Sequence, residues 1–544
     1  MHQLSRGDYI VFVLYFIIVA SYGFYIYHKK KSKQADSKDF FLAEGSLTWW
    51  AIGASLIASN ISAEQLIGMT GSGFALGLAI SSYEWMASAT LIIVAVFFIP
   101  IYLKNKIYTM PQFLSVRYND TVSTIMAIFW LLVYILINLT SIIYLGSLAI
   151  TSITGIPFGW CICGLAVFAT VVTLGGMKVI GYTDVFQVLV LIVGGLVTVY
   201  LGLKMVSGHF GHGANILKGF AVLTEKVPSH FHMILDRSSP YYKDLPGLFI
   251  LLGGGMWINN LNYWGCNQYI TQRALGADLK TARKGILFAG FLKLLTPVIA
   301  VLPGIIVYVL YQDGMFHTEM TGPSGAVKPD HAYPTLLNLL PEGLKGLAFA
   351  ALIAAVVASL AGKANSVSTI FSLDIYRKYF KKDATEKQLV RTGRWAVVLS
   401  MAVACLIVPS LRALNQAYQF IQEYEGFISP GVLAIFLLGM FWKQTTTKAA
   451  LTAVILTIPL SVVLKFLPAW THGVFPDIAF LNRMSIVFVI LVFLMIVITL
   501  QDPRNKNKPA LIKVDRRDYR CSPSFIAGSV IIIGILTALY TVFW

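Results

Sequence analysis

Two stretches of the chain set amide, carboxylate and hydroxyl side chains inside otherwise apolar runs. The first is Ala58-Ser59-Asn60-Ile61-Ser62-Ala63-Glu64-Gln65, followed by Gly68, Gly71 and Gly73. The second is Gly253-Gly254-Gly255, which leads into Asn259-Asn260-Leu261-Asn262-Tyr263-Trp264-Gly265. Further ionisable or amide groups at comparable depth are Glu84, Asp184, Lys293, Lys363, Gln422, Glu423 and Glu425. Such groups are costly in hydrocarbon and mark function more often than they do in water. An isolated Ser or Asn serves more often as internal glue, whereas Glu84, Lys293 and the two amide-rich stretches read as a site. The chemistry suits a neutral polyol, whose hydroxyls both donate and accept and whose ring has an apolar face. Asn60, Gln65, Glu84, Asn260, Lys293 and Gln422 supply hydrogen bonds, and Tyr83, Tyr263, Trp264 and Tyr418 supply rings. An amino-acid carrier would need groups matched to both an ammonium and a carboxylate, and composition alone does not choose between these substrates.

The elements that must hold these residues are membrane helices. Apolar and aromatic residues make up 57% of the 544 residues and charged ones 12%, about half the charge of an ordinary soluble domain; mean hydropathy is +0.72. The apolar residues fall in blocks long enough to cross a bilayer as helices. Their spacing predicts an all-α polytopic protein with spans near 9–27, 46–70, 74–103, 120–151, 157–174, 182–206, 246–266, 284–311, 343–372, 393–410, 413–441, 448–467, 482–500 and 523–543. β-Barrel strands would be shorter and alternating.

The net charge of +17 reflects topology. Basic residues sit in short segments between apolar blocks, where a nucleic-acid binder would gather them on one surface. With the N-terminus outside, loops 28–39, 104–117, 175–181, 267–283, 373–392, 442–447 and 501–522 are internal. With their flanks they carry about 29 of the 42 Lys and Arg residues, as positive-inside bias requires. The first block, followed by Lys29, Lys30, Lys31 and Lys33, reads as a retained span in a bacterial inner membrane. Five cysteines without metal-ligand spacing read as small buried hydrophobes. Segments 207–245 and 312–342 face outside, as a lid over the mouth or as plain connectors.

The two polar stretches lie on the second and seventh spans, five helices apart in register. That spacing predicts two inverted five-helix repeats with broken helices at the midplane. The expected organisation is a leading helix with a basic inner loop (1–45), a first repeat (46–206), an outer loop (207–245), a second repeat (246–441) and three further helices (442–544).

The residues Trp49-Trp50-Ala51-Ile52-Gly53-Ala54-Ser55, Asn60 to Gln65 and Ser82-Tyr83-Glu84-Trp85-Met86 resemble the sodium/solute symporter family, in particular its bacterial sodium/galactose branch. Gly175-Gly176 with Thr183-Asp184, Asn260-Leu261 with Tyr263-Trp264-Gly265, Asn365-Ser366, Asp374-Ile375-Tyr376, Ile421-Gln422-Glu423-Tyr424 and Phe441-Trp442-Lys443 extend the resemblance from about residue 9 to the end. It implies a LeuT-like fold and alternating access coupled to Na+. It places sugar ligands on Asn60, Gln65, Glu84, Asn260, Lys293 and Gln422. Tyr263 falls on the inner gate, beside Trp264, and Met69, Tyr83 and Tyr418 on the outer cover. Ala87 and Tyr418 stand where galactose carriers have Ser and Phe.

The resemblance also implies a sodium site on the Ala58 and Ile61 carbonyls, Ala355 and Ser359. Ala358 replaces one of two consecutive serines there, and Lys363 stands where the galactose carriers have an apolar residue. Residues i and i+4 share a helix face, so the ammonium is expected near the sodium position, where it would disfavour a bound cation. Two expectations follow. Either Lys363 faces an inner vestibule or pairs with an acid such as Asp184 while sodium still binds, or it replaces the ion and leaves transport proton-coupled or uncoupled. Other polyols such as myo-inositol remain alternatives to a hexose. A membrane enzyme would need an acidic metal-binding motif, and a sensor would need an output domain; neither motif nor domain is evident. A channel or uniporter rests chiefly on Lys363.

Overall fold

The computed structural model describes residues 4–29, 47–175, 177–321, 325–413, 417–502, 512 and 515–544. Lys30, Lys31 and Lys33, Gly176, and residues 503–511 of the last basic loop lie outside them. The described residues form helices joined by turns and loops, and the one β feature among them is an isolated bridge between Thr321 and Val327. In chain order the helices include α1 (Arg6–Lys29), α2 (Trp49–Asn60), α3 (Thr70–Leu76), α4 (Ser82–Ile93), α5 (Met110–Arg117), α6 (Asp120–Leu132), α7 (Thr140–Thr154) and α8 (Phe158–Leu174). There follow α9 (Met177–His209), α10 (Ile216–Lys226), α11 (Gly255–Cys266), α12 (Gln268–Leu275), α13 (Leu279–Ala300) and α14 (Leu302–Gln312). The last are α15 (Leu344–Thr369), α16 (Glu386–Ile407), α17 (Ala417–Glu425), α18 (Ser429–Phe441), α19 (Thr447–Trp470), α20 (Phe480–Gln501) and α21 (Pro523–Val542).

Nine continuous helical runs among the described residues are long and apolar enough to cross a bilayer, and α17 with α18, bent by 46°, make a tenth. Several join two elements through a π-turn, as α6 joins α7 through Val133–Leu139. The most enclosed is Leu344–Phe380, with 89% of its apolar window buried; Pro523–Val542, at 22%, is peripheral. The outward faces are apolar, which suits contact with lipid. Cys163 departs from the expected burial because it sits on the exposed stripe of α8 with Trp160, Val167 and Val171.

Close backbone approach sets the centre. α2 crosses α13 so tightly that a Cβ on Gly53 would stand 2.6 Å from the Gly285 carbonyl oxygen, an approach only small residues allow. At the outer segment, Gly77 has φ +72° and its absent Cβ would meet His230 O at 2.4 Å, which seats loop 228–231 on the end of α3. At another edge, the Arg117 guanidinium on α5 donates to the Gly439, Trp442, Lys443 and Thr445 carbonyls at the end of α18, at 2.7–3.1 Å.

Both polar stretches break their helices. α2 ends at Asn60; Ile61 is extended (φ −72°, ψ 110°), and a π-turn resumes at Glu64. In the second stretch Gly254 makes a left-handed turn (φ +87°) before α11. The interruption itself falls later than the glycines suggest, at Asn267 (φ −99°, ψ 128°), between α11 and α12. Tyr134 fixes it: its hydroxyl donates to Asn267 Oδ1 and accepts from Gln268 N at 3.1 Å.

Candidate functional site

A polar chain spans both breaks. Lys293, on α13, has no solvent exposure; its ammonium contacts the Glu84 carboxylate of α4 and Asn60 Oδ1 at the end of α2. Asn60 Nδ2 then donates to the Tyr263 hydroxyl of α11 at 2.8 Å. The Trp264 ring lies 5.3 Å from Lys293 Nζ, within cation–π range. Four helices thus present Asn60, Glu84, Lys293, Tyr263 and Trp264 to one place. A buried ammonium persists only with such compensation.

The other candidates sit around this chain. Gln65 turns back to the break, where Oε1 accepts from Ser62 N at 3.0 Å and Ser62 Oγ at 3.1 Å, while Ser62 Oγ accepts from Glu64 N at 3.1 Å. These bonds cap the resumed helix much as an N-cap serine does. Asn260 Nδ2 bonds within its own helix to Met256 O at 3.1 Å. Gln422 Oε1 accepts from Asn259 Nδ2 at 3.3 Å, so the second amide-rich stretch reaches it through Asn259, a residue of that stretch outside the expected ligand set. Above them the rings of Tyr83 and Tyr418 meet edge-on, 5.7 Å apart, and Met69 is fully buried.

At the break, Ser62 N points to Gln65, so the Ala58 carbonyl lacks the i+4 donor a continuous helix gives it. Ser359 of α15 reaches across to donate to Ser59 O at 3.0 Å. Ala355 and Ala358 are buried on the same helix. Asp184 and Lys363 do not pair. Asp184 accepts from Ser55 Oγ at 2.5 Å and faces Arg273 Nη2 at 3.7 Å, and Arg273 Nε donates to Ser55 Oγ at 2.8 Å. Lys363 is 2% exposed, so it faces no vestibule; it meets Glu64 Oε2 at 3.3 Å and lies 5.2 Å from the Tyr269 ring. The correction has a simple cause: Arg273 sits on a fully buried half-helix, whereas its position after a polar run reads as an inner loop. Glu64 in turn accepts from Ser141 Oγ at 2.7 Å.

Outside the spans, His230 stacks on Tyr308 at 4.0 Å, and Nε2 donates to Phe74 O at 3.1 Å. Burial holds its imidazole below the usual histidine range, so the ring is neutral at pH 7.

Two interrupted helices, with polar groups from four helices gathered beside them, make the geometry of a carrier's central site. The sequence profile of the sodium:solute symporter family matches residues 40–457. The chain belongs to that family. It is therefore a multi-pass membrane transporter and not an enzyme. It is 45% identical to the sodium/glucose cotransporter of Vibrio parahaemolyticus over all of this chain and 99% of that protein. It is 34% identical to the human sodium/myo-inositol cotransporter 2 over 82% of this chain and 68% of that one. A substrate-bound, outward-open structure of a Na+-coupled sialic acid symporter superposes with a TM-score of 0.76 at 21% identity, covering 91% of this chain and 98% of the other. That likeness confirms the expected LeuT-like architecture.

Proposed function

We propose that the protein imports a neutral hexose of the galactose or glucose type by sodium-coupled symport, from a bacterial inner membrane in which its N-terminus faces outside. The reading rests on the Glu84–Lys293–Asn60–Tyr263 chain at the two helix breaks. It is joined to 45% identity, along the whole chain, with a sodium/glucose cotransporter. Asn60, Gln65, Glu84, Asn260, Lys293 and Gln422 are its sugar ligands. Sugar hydroxyls replace the partners these groups now hold, so the pocket is polar without a net charge to attract an acid or an amine. Tyr263 and Trp264 cover the sugar from the inner side, and Met69, Tyr83 and Tyr418 from the outer. Sodium binds at the Ala58 and Ile61 carbonyls with Ala355 and Ser359, and Asp184 lies on its path. The inverted repeats span 46–206 and 246–441, flanked by 1–45, 207–245 and 442–544.

Uptake of radiolabelled galactose, glucose and myo-inositol into proteoliposomes, under an inward sodium gradient, a proton gradient or neither, tests this. Accumulation of a hexose under sodium alone is the expected result. Accumulation driven by protons, or mere equilibration, overturns sodium coupling; accumulation of myo-inositol in place of both hexoses overturns the substrate.

A further inference from the structure

The last helix leans on the bundle along one side only. There α21 presses against α13: a Cβ on Gly528 would lie 2.7 Å from Leu287, and one on Gly290 would lie 3.1 Å from Ile532. Further along α21, a Cβ on Gly534 would meet nothing within 4 Å. Between α21 and α4 a groove of about 490 Å³ remains, with Ile92, Val96, Phe525, Val530 and Gly534 in its wall. Val530 is 65% exposed. The wall also holds Ser529, whose hydroxyl is spent inside the helix on Phe525 O at 2.8 Å. Val96 belongs to the π-turn Val94–Phe98, a helix form that recurs at functional sites.

One end of this apolar groove is basic. Arg283 of α13 is buried, and its guanidinium donates to Ala95 O at 3.0 Å and Val96 O at 3.3 Å. It also donates to Asp518 O at 2.7 Å and Arg520 O at 2.8 Å. The segment before α21 is thereby pinned to the groove wall, and Cys521 enters the groove itself. Arg516, Arg517 and Arg520 are exposed on that segment. Its acids are Asp515 and Asp518, and Lys104 engages both, at 3.9 and 2.6 Å. The three arginines thus add positive charge that the acids beside them do not cancel.

Depth follows from length. α21 has 20 residues and spans about 30 Å, the thickness of the hydrocarbon. The groove therefore lies among acyl chains, and residues 516–520 lie at headgroup level. The Tyr519 and Phe97 rings, 5.5 Å apart, suit that level, where amphipathic rings collect.

We propose that the groove between α4 and α21 binds one anionic phospholipid, its acyl chain along Val96 and Val530 and its phosphate against Arg516 and Arg520. An apolar groove alone accepts a chain from any lipid, so the basic end sets the preference. Arginine matches a phosphate with paired donors, and a headgroup of net negative charge gains from each basic residue near it. A zwitterionic headgroup brings its own ammonium and loses that gain. The site is separate from the sugar pocket, and it requires nothing of the substrate or the coupling ion. It touches the pocket's framework all the same, because Ile92 follows Glu84 on α4 by about two turns.

Native mass spectrometry of the delipidated full-length protein in detergent, with dioleoylphosphatidylglycerol or dioleoylphosphatidylcholine added, reads the site. One phosphatidylglycerol should be retained about tenfold more tightly than phosphatidylcholine. Arg516→Gln and Arg520→Gln should each weaken its retention about fivefold. Val530→Trp, at an exposed position, and Gly534→Phe, where a side chain has room, should fill the groove and abolish retention. Glycerol 1-phosphate, a headgroup without a chain, should not compete. Equal retention of the two lipids would make the groove a place for bulk lipid only and overturn the proposal. So would retention unchanged by both Val530→Trp and Gly534→Phe. Competition by glycerol 1-phosphate would leave only a free-phosphate site, and the lipid assignment would fall. A dimer that retains no lipid and that Val530→Trp splits would give the groove to a second copy, and overturn the proposal too.

Discussion

Two lysines are buried at the heart of this molecule, and they are held in different ways. Lys293 faces one carboxylate, one amide oxygen and one indole face, so its charge is matched one for one. Lys363 faces Glu64 at 3.3 Å and the Tyr269 ring. Both sit on long helices and both are sealed from solvent. The difference lies in stoichiometry. A matched pair has one low-energy arrangement and suits a binding site that must keep its shape. Lys363 instead shares its carboxylate with two hydroxyls, because Glu64 also accepts from Ser62 and Ser141, and a carboxylate with several donors can trade one for another.

Breaking the matched pair should have the largest effect. Lys293→Met strands the Glu84 carboxylate, which costs about 3–5 kcal/mol, so the thermal midpoint should fall and uptake should vanish. Lys293→Met with Glu84→Gln should recover the midpoint, measured by thermal unfolding, and still transport nothing. If the double variant transports, the pair is only structural. Next comes Gln65→Ala, which removes the acceptor for two Ser62 donors. A lost cap of this kind costs about 1 kcal/mol, and sugar binding, read by calorimetry, should be lost while the inserted protein stays folded. Lys363→Met should lower the sodium concentration for half-maximal uptake several-fold, because it removes a cation near the ion's position. An unchanged or lost sodium response would count against that role. Ser55→Ala removes the hydroxyl between Asp184 and Arg273, with an expected loss of about 1–2 kcal/mol in thermal stability. Tyr418→Leu should be mildest, at about 1 kcal/mol for one edge-on ring contact, read as faster sugar dissociation.

Much of this was legible in the sequence because hydrocarbon leaves few options. Apolar blocks of bilayer length could only be helices, and amides and glycines inside them could only be breaks or sites. That reasoning put the first break within residues 58–65, where the helix ends at Asn60 and resumes at Glu64, and four of the residues it named, Asn60, Glu84, Lys293 and Tyr263, are joined in one hydrogen-bonded chain. It located the second break too early, because Gly253-Gly254-Gly255 makes a turn while Asn267, held by a distant tyrosine, ends the helix. Arg273 was out of reach for a related reason: an arginine after Gln268 and Gln272 has the composition of a loop, and only tertiary packing buries it against Ser55 and Asp184. The partner of Lys363 was missed because i and i+4 spacing fixes the face of α15, and the direction a long side chain takes from that face depends on its neighbours.

The Arg117 clamp has a mechanical consequence. One guanidinium holding four carbonyls welds the end of α5 to the end of α18, and charge-assisted bonds of this kind are among the stronger ones in a protein. Whatever rocks when the carrier changes state, these two ends travel together as a fixed point. Probes on Arg117's neighbours and on Trp442 should therefore keep a constant separation through the whole cycle, and make a reference against which every other distance change can be measured.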